Sequence, residues 1–151
     1  MKNTIPCLLS ISCLLFVTAC KNNTDESIIS QNIKRAKKSF QAFNEHNWEL
    51  QASFFSDTCK YLDPSYGDKH VMESRKGKAA KYAAMETESP DIKDSITNIF
   101  GYGDKVVIQF TSTGTAKTEN GDYKWSVPIC CVFTYKDGLV IIDETYYNRG
   151  K

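Results

Sequence analysis

Histidine, tryptophan and long apolar runs are scarce in this sequence of 151 residues. It has two tryptophans and two histidines, His46 and His70. The histidines lie far apart and without neighbouring ligand residues, so the spacing of a metal site is absent. The sequence also lacks a nucleophile elbow, a glycine-rich phosphate loop and a Cys-x-x-Cys pair. We therefore expect no metal and no cofactor.

An excess of charge of either sign is also absent. Nineteen basic residues face 18 acidic ones, which gives a formal net charge of +1. Proteins dedicated to nucleic acid carry a clustered basic excess, because they neutralise phosphates. We therefore expect no nucleic acid among the partners of this chain.

The N-terminus has the pattern of an export signal. Lys2 precedes an apolar run from Ile5 to Ala19, which is shorter than the roughly 20 residues of a membrane span. The run ends in Val17-Thr18-Ala19-Cys20, which resembles the lipobox of bacterial lipoproteins. The resemblance implies cleavage before Cys20 and acylation of its sulfur, so the bilayer becomes a partner. The alternative is an ordinary secretory signal that contains a cysteine.

Cleavage there would divide the chain into three parts. Residues 1–19 would be the signal peptide, residues 20–27 the lipidated cysteine with a polar tether, and residues 28–151 a single domain. This arrangement predicts a lipid-anchored protein of the cell envelope. Lys21 follows the cysteine where inner-membrane retention signals have aspartate, which favours the outer membrane.

Three cysteines remain in the predicted domain, Cys59, Cys130 and Cys131. Their compartment permits disulfides, but an odd number allows at most one internal bridge. Cys130 and Cys131 are adjacent and point to opposite faces of a strand, so either one could pair with Cys59. The alternative is that all three are free thiols in the core.

Hydrophobic periodicity predicts helices first and strands afterwards. Apolar residues at spacings of three and four indicate a helix from about Ser27 to Glu45, and Asn47 can cap a second one. Alternating apolar residues and turn signals indicate strands in the second half. The further elements predicted are the helices Trp48–Phe55 and Lys76–Thr87 and the strands Thr58–Leu62, Asp91–Phe100, Lys105–Thr115, Tyr123–Tyr135 and Leu139–Tyr147. The order predicts an α+β fold, with three N-terminal helices packed on a curved antiparallel sheet.

Four short motifs stand out, and they are Asn47-Trp48-Glu49-Leu50, Tyr61-Leu62-Asp63-Pro64, Gly103-Asp104-Lys105-Val106-Val107 and Phe133-Thr134-Tyr135-Lys136-Asp137-Gly138. They resemble motifs of SnoaL-like domains, which are members of the nuclear transport factor two-like superfamily. The resemblance implies a conical barrel with a ligand cavity, and a homodimer formed through the sheet. Because the superfamily includes enzymes, binding modules and non-catalytic partner domains, the fold alone does not define a reaction.

The resemblance singles out Asp63. Ketosteroid isomerases have their general base at this position, before a proline, and a desolvated carboxylate is a stronger base than one in water. The family's tyrosine and carboxylic acid positions fall near Ser39 and Cys130, neither of which can replace them. Asp63 also has a purely structural interpretation, since aspartate before proline commonly stabilises a turn.

The last predicted strand carries a second acidic candidate. Polyketide cyclases of the superfamily have an acidic residue there, and Thr145 occupies the matching position in this sequence. Asp143 and Glu144 are close, but strand alternation allows only one of them to point inward. A shift of register would be needed for either residue to replace the family's acid.

Aromatic residues are the main candidates for lining a pocket, although they could instead simply fill the core. His70 follows a loop that could cover the cavity mouth as a base or ligand contact, or be an exposed histidine. The ligand-pocket candidates are Phe40, Phe43, Tyr61, Tyr82, Trp125, Cys130 and Tyr146.

Three functions are compatible with this sequence. The first is a lipid-anchored module that binds a small, mainly apolar molecule in its cone. The second is an isomerase, dehydratase or cyclase that uses Asp63 as general base, with His70 as a further catalytic candidate. The third is a non-catalytic protein-interaction domain.

Overall fold

The computed structural model describes residues 19–148, and the side chains of residues 25–148. The predicted signal peptide up to residue 18 and the side chain of Cys20 lie outside this part. Among residues 19–148, no helix is both long and apolar enough to cross a bilayer. The elements in chain order are α1 (Ala19–Asn44), α2 (Trp48–Ser53), β1 (Phe55–Leu62), a 3₁₀ turn (Pro64–Tyr66), β2 (Val71–Ser74), α3 (Arg75–Glu88), β3 (Lys93–Tyr102), β4 (Lys105–Thr118), β5 (Gly121–Lys136) and β6 (Leu139–Tyr146).

The first two helices form the predicted hairpin. Between them His46 adopts a φ of 55°, in the left-handed region that histidine enters more readily than most residues. Asn47 caps α2, because its side chain accepts a hydrogen bond from the backbone N–H of Leu50 at 3.1 Å. Helix α1 begins at Ala19 rather than near Ser27. It therefore includes the segment predicted as a tether, since extending an existing helix is easier than nucleating one.

The six strands form one sheet in the order β2-β1-β6-β5-β4-β3. β1 pairs with β6 in parallel, whereas every other pair is antiparallel. The prediction of an antiparallel sheet was therefore wrong for one pair, and the sheet is mixed. The prediction of three N-terminal helices was also wrong, because β1 and β2 separate α2 from α3. β2 was missed because its four residues are too few for an alternating pattern.

The sheet is curved, and its concave face holds the core. Register shifts between Ile96 and Asn98 and between Thr134 and Tyr135 mark the bulges that bend the strands. Helices α1 and α3 cover this face. The predicted alternation along β5 directs Cys131, with Phe133 and Tyr135, into the core. The turn before β6 has positive φ at both central residues, Asp137 and Gly138, as two-residue hairpins of type I′ require.

The three cysteines of the domain are free thiols. Cys59 lies on β1 and Cys131 on β5, and β6 lies between these strands. Two strand spacings are roughly 9–10 Å, beyond the Cα separation of about 7 Å that a disulfide spans. The predicted possibility of a bridge between Cys59 and Cys130 or Cys131 is therefore wrong. Cys59 and Cys131 are buried core residues instead.

Candidate functional site

A cavity of about 250 Å³ lies between the helices and the concave face of the sheet. Its walls are mostly apolar and aromatic, with Phe40 and Phe43 from α1 and Trp125, Ile129 and Phe133 from β5. Charged side chains enter it from α3, from β3, from the end of β1 and from β6. An apolar cavity with a few convergent polar groups is the usual form of a small-molecule site.

The most buried charged groups of the cavity are Lys78 and Asp143. Nζ of Lys78 lies 3.6 Å from Oδ2 of Asp143, and the two side chains are 3% and 8% exposed. Lys78 is directed inward because it shares a helical face with Tyr82 and Met85, which also line the cavity. Strand alternation directs Asp143 inward, together with Thr145. The register of β6 therefore decides between Asp143 and Glu144 in favour of Asp143.

The surroundings of this pair are partly aromatic. Nζ of Lys78 lies 3.9 Å from the ring centre of Phe55, 4.6 Å from that of Tyr61 and 3.1 Å from the hydroxyl oxygen of Tyr82. Desolvation raises the pKa of the Asp143 carboxyl, although the charge of Lys78 and a hydrogen bond from Thr145 oppose the rise. A carboxylate of raised pKa beside a buried ammonium group can accept a proton or orient a polar ligand.

A second pair, Lys81 and Asp63, lies at a more exposed part of the same cavity. Nζ of Lys81 is 3.6 Å from Oδ2 of Asp63, and their side chains are 26% and 22% exposed. Asp63 also caps the 3₁₀ turn, since its Oδ1 accepts the backbone N–H of Ser65 at 2.7 Å and the hydroxyl of Tyr147 at 3.2 Å. Asp63 is therefore a turn residue and a cavity residue at the same time.

The electrostatics of Asp63 differ from those of Asp143. Desolvation tends to raise the pKa of Asp63, but the hydrogen bonds from Ser65 and Tyr147 and the charge of Lys81 outweigh it and hold the pKa below its usual value. For Lys81, desolvation lowers the pKa of the ammonium group, and Asp63 opposes the shift. A carboxylate of lowered pKa is a weaker base than one of raised pKa. Asp63 is thus the weaker base of the two.

A third carboxylate, that of Asp94, lines the cavity at the beginning of β3. Burial raises its pKa to about 7, although the Ser112 hydroxyl lowers it in part. Its Oδ1 atom is buried and has no hydrogen-bond partner within the described residues. The backbone is held in place, because the Asn44 amide donates to the carbonyl of Asp94 at 2.8 Å and accepts its N–H at 2.7 Å.

The predicted site residues divide into two groups. Asp63, Phe40, Phe43, Tyr82 and Trp125 all line the cavity, whereas four other candidates do not. The candidates outside it are Tyr61, His70, Cys130 and Tyr146.

These four residues lie outside the cavity for different physical reasons. Tyr61 is buried in the core beside Phe55, with no part in the cavity lining. Cys130 and Tyr146 are partners in the β5–β6 register and lie against a shallow depression instead. Alternation puts Cys131, not Cys130, into the cavity. Nε2 of His70 lies 3.4 Å from Oε1 of Glu144. The side chain of Glu144 leaves the sheet on the face opposite to that of Asp143.

Sequence reasoning missed Lys78, Lys81 and Asp94. The signal for Lys78 was present: a lysine at position i with Tyr82 at i+4 and Met85 at i+7 lies within the inward stripe of α3. Asp94 gave no comparable signal, because an aspartate at the start of a strand is more often exposed. Within residues 25–148, no group of three or more histidine, cysteine, aspartate or glutamate side chains is placed to hold a metal ion.

Known structures share this architecture. A protein from Jannaschia sp. CCS1, provisionally assigned as a SnoaL-like polyketide cyclase, matches with a TM-score of 0.68 at 21% identity, covering 80% of this chain and 88% of its own. An LEH-like epoxide hydrolase from M. tuberculosis matches with a TM-score of 0.66 at 15% identity, covering 80% and 84%.

A third similar structure comes from Catenulispora acidiphila. This hypothetical protein has a ketosteroid isomerase-like fold and was solved in complex with trimethylamine. It matches with a TM-score of 0.65 at 17% identity, covering 76% of this chain and 85% of its own. At such identities the likeness shows the fold alone.

Comparison of the sequence with known proteins and with family models gives two results. No curated protein matches the sequence. The family model of the SnoaL-like domain matches residues 36–142, from the middle of α1 to β6, which is more than half of the chain. The fold, the cavity and this match agree, and the chain belongs to the SnoaL-like domain family.

Proposed function

We propose that this protein binds a small, mainly apolar molecule in its cavity and orients it through one polar group at Lys78 and Asp143. The observation that carries the proposal is the burial of this ion pair inside a cavity with apolar walls. Two charges removed from water cost several kcal/mol each, and their mutual attraction repays this cost only in part. A ligand hydroxyl would give both groups a further partner, and a ligand carbonyl would accept a hydrogen bond from Lys78.

The size of the cavity sets the scale of the ligand. A volume of about 250 Å³ exceeds the roughly 150 Å³ of a cavity that holds benzene. A substituted six-membered ring fits, whereas a steroid-sized molecule would require the cavity to open. The aromatic walls favour a flat molecule.

Acetophenone and ethylbenzene form a matched pair of probes, since they differ mainly in the carbonyl oxygen. We expect the protein to bind acetophenone about tenfold more tightly, because the Lys78 ammonium donates to the carbonyl. Lys78→Met should remove the difference between the probes. Isothermal titration calorimetry measures both affinities.

Two variants of one strand test whether the cavity is the binding site. Val127→Phe fills the cavity from β5 and should abolish the binding of both probes. Val132→Phe, on the opposite face of the same strand, is its control and should leave binding unchanged. Equal binding to wild type and to Val127→Phe would contradict the proposed site.

The alternative is an enzyme of the isomerase, dehydratase, cyclase or hydrolase kind. The raised pKa of the Asp143 carboxyl supports it, as do the cyclase and epoxide hydrolase among the proteins of similar fold. Asp143 is a better candidate for general base than Asp63, whose pKa is lowered. Lys78 would then stabilise a developing negative charge on the substrate.

One experiment separates binding from catalysis. Native mass spectrometry of the wild-type protein and of Asp143→Asn would reveal a retained compound. Both forms are purified from the organism in which the protein occurs naturally. An enzyme should retain substrate in Asp143→Asn, and added wild-type protein should convert it. A binding module should retain its compound in the wild-type protein, and added wild-type protein should leave that compound unchanged. Asp63→Asn, tested in parallel, examines the other candidate base.

The outer face of the sheet supports a third function, assembly with protein. The side chains of Phe100 and Tyr146 there are about half exposed and Tyr102 is almost fully exposed, and aromatic residues are enriched at interfaces. The partner proposed is a second copy of this chain, forming a homodimer through the sheet. Sedimentation equilibrium tests it: Cys130→Arg on this face should give monomers, and Asp122→Arg at the β4–β5 turn should not.

The predicted anchor adds a location to these functions. The pattern of residues 1–20 supports export and acylation of Cys20, which would hold the domain at a membrane of the cell envelope. Labelled palmitate should enter the wild-type protein, and the protein should sediment with membranes. Cys20→Ser should lose both properties, and unchanged labelling of this variant would contradict the anchor.

A further inference from the structure

We propose that the ligand of this cavity carries a protonated amine, which binds to the carboxylate of Asp94. The inference rests on the proposed binding function and adds a chemical class to it: an apolar ring or chain with an ammonium group. Its basis is a buried carboxyl oxygen that has no hydrogen-bond partner among the described residues, in a cavity where both described lysines are paired with other carboxylates.

The charges of the cavity do not balance. Among the side chains of residues 25–148, three carboxylates line it, those of Asp63, Asp94 and Asp143, but only two lysines do, Lys78 and Lys81. Lys78 pairs with Asp143 and Lys81 pairs with Asp63, each at 3.6 Å. Across the described part of the chain, Asp94 forms no ion pair. A bound cation would restore the balance.

The position of Asp94 is suited to a ligand contact. Its Oδ1 atom is buried and has no hydrogen-bond partner in the described structure, and such an atom costs about 1–3 kcal/mol when it stays unpaired. The two backbone hydrogen bonds with Asn44 fix the residue at the start of β3. The backbone that carries this carboxyl group is therefore already ordered before an ammonium group binds.

The aromatic lining favours the same chemistry. Phe43, Tyr82 and Trp125 line the cavity with Asp94, and aromatic faces attract cations. Burial raises the pKa of the Asp94 carboxyl to about 7, which reflects a carboxylate that lacks a compensating positive charge. A neutral hydroxyl ligand would satisfy Oδ1 but leave the charge unbalanced, so an amine fits better.

Benzylamine, benzyl alcohol and toluene test this inference, because they share one ring and differ in a single substituent. At a pH of about 8 the amine is cationic and the Asp94 carboxyl is mainly ionised. We expect wild type to bind benzylamine about tenfold more tightly than benzyl alcohol, as measured by calorimetry. Asp94→Asn should bind the two about equally, with unchanged affinity for benzyl alcohol and toluene.

The control variant is Asp122→Asn, which removes a carboxylate from the exposed start of β5. It should retain the wild-type preference for benzylamine. Equal binding of amine and alcohol to wild type, or a preference that survives in Asp94→Asn, would overturn the inference while leaving the proposed function intact. Failure of all three probes to bind wild type would contradict the proposed function and this inference together.

Discussion

The two lysine–aspartate pairs of the cavity have the same separation and different surroundings. Both pairs join α3 to the strand layer, and in both the ammonium nitrogen lies 3.6 Å from a carboxylate oxygen. Lys78 and Asp143 are almost completely buried, whereas Lys81 and Asp63 are each about a quarter exposed. Burial, rather than distance, therefore distinguishes the pairs.

The carboxyl groups respond in opposite directions. Desolvation raises the pKa of Asp143 despite its lysine, whereas hydrogen bonds and Lys81 together lower that of Asp63. Water near Lys81 and Asp63 moderates both the desolvation and the attraction. The buried pair is consequently the costly one and the better candidate for chemistry, and the exposed pair contributes to the local turn.

The largest expected effect comes from breaking the buried pair. Lys78→Met leaves the carboxylate of Asp143 buried without a counter-charge, and we expect a loss of about 3–5 kcal/mol in the free energy of unfolding near neutral pH. Urea denaturation measures this loss. The double variant Lys78→Met/Asp143→Leu should recover most of the stability, because no buried charge remains. A double variant as unstable as Lys78→Met would show that the pair itself stabilises the fold.

Asp94 adds to the comparison a carboxylate that forms no ion pair with a lysine among the described residues. Its pKa in the folded protein, about 7, lies above the value of 3.8 expected for the unfolded chain. The protonated carboxyl therefore makes its full contribution to the free energy of unfolding below about pH 4. This contribution is lost as pH rises through about 7. The shift corresponds to an upper limit of about 4 kcal/mol, and solvent in the cavity should reduce it to about 2–3 kcal/mol.

Asp94→Asn removes this titration. We expect the variant to be more stable than wild type at about pH 8 by those 2–3 kcal/mol, and to show little or no gain near pH 4. Chemical denaturation of both proteins between these pH values gives the difference directly. A difference that does not change with pH would mean that Asp94 does not titrate within this range.

The smallest effect should come from the exposed pair. Asp63→Asn retains the oxygen that caps the 3₁₀ turn and removes only the charge, so we expect a loss below about 1 kcal/mol. Since the pKa of Asp63 is lowered in the folded state, this loss should be present above the usual aspartate pKa and should disappear as pH falls through the lowered pKa. Lys81→Met should behave similarly. A loss as large as that of Lys78→Met would contradict the role of burial.

Local patterns were enough to predict much of the fold. The apolar spacing of α1, the alternation of β5 and the turn residues Asp137-Gly138 each depend on neighbours in sequence, and each was predicted correctly. The parallel pairing of β1 with β6 was not predicted, because it joins residues about 80 positions apart, such as Tyr61 and Asp143. The four residues of β2 acquire their structure only by pairing with β1.

The candidate site was predictable only in part. The Asp63-Pro64 motif and the aromatic residues identified one wall of the cavity. Alternation also limited the inward side chain to either Asp143 or Glu144, but the register of the sheet was needed to choose between them. Lys78 was overlooked because burial of a lysine depends on a partner, and that partner lies on a strand distant in sequence.

The sequence by itself determined the helical hairpin, the four C-terminal strands and the family to which the chain belongs, because periodicity, capping and turn chemistry are local properties. Only the tertiary structure decided which charged groups share the cavity and how each one is solvated. Lys78 and Lys81 differ by a single turn of the same helix, yet one is buried and the other is not. The pKa of a carboxylate depends on the water and charge that surround it in space, and the order of residues along the chain does not specify these.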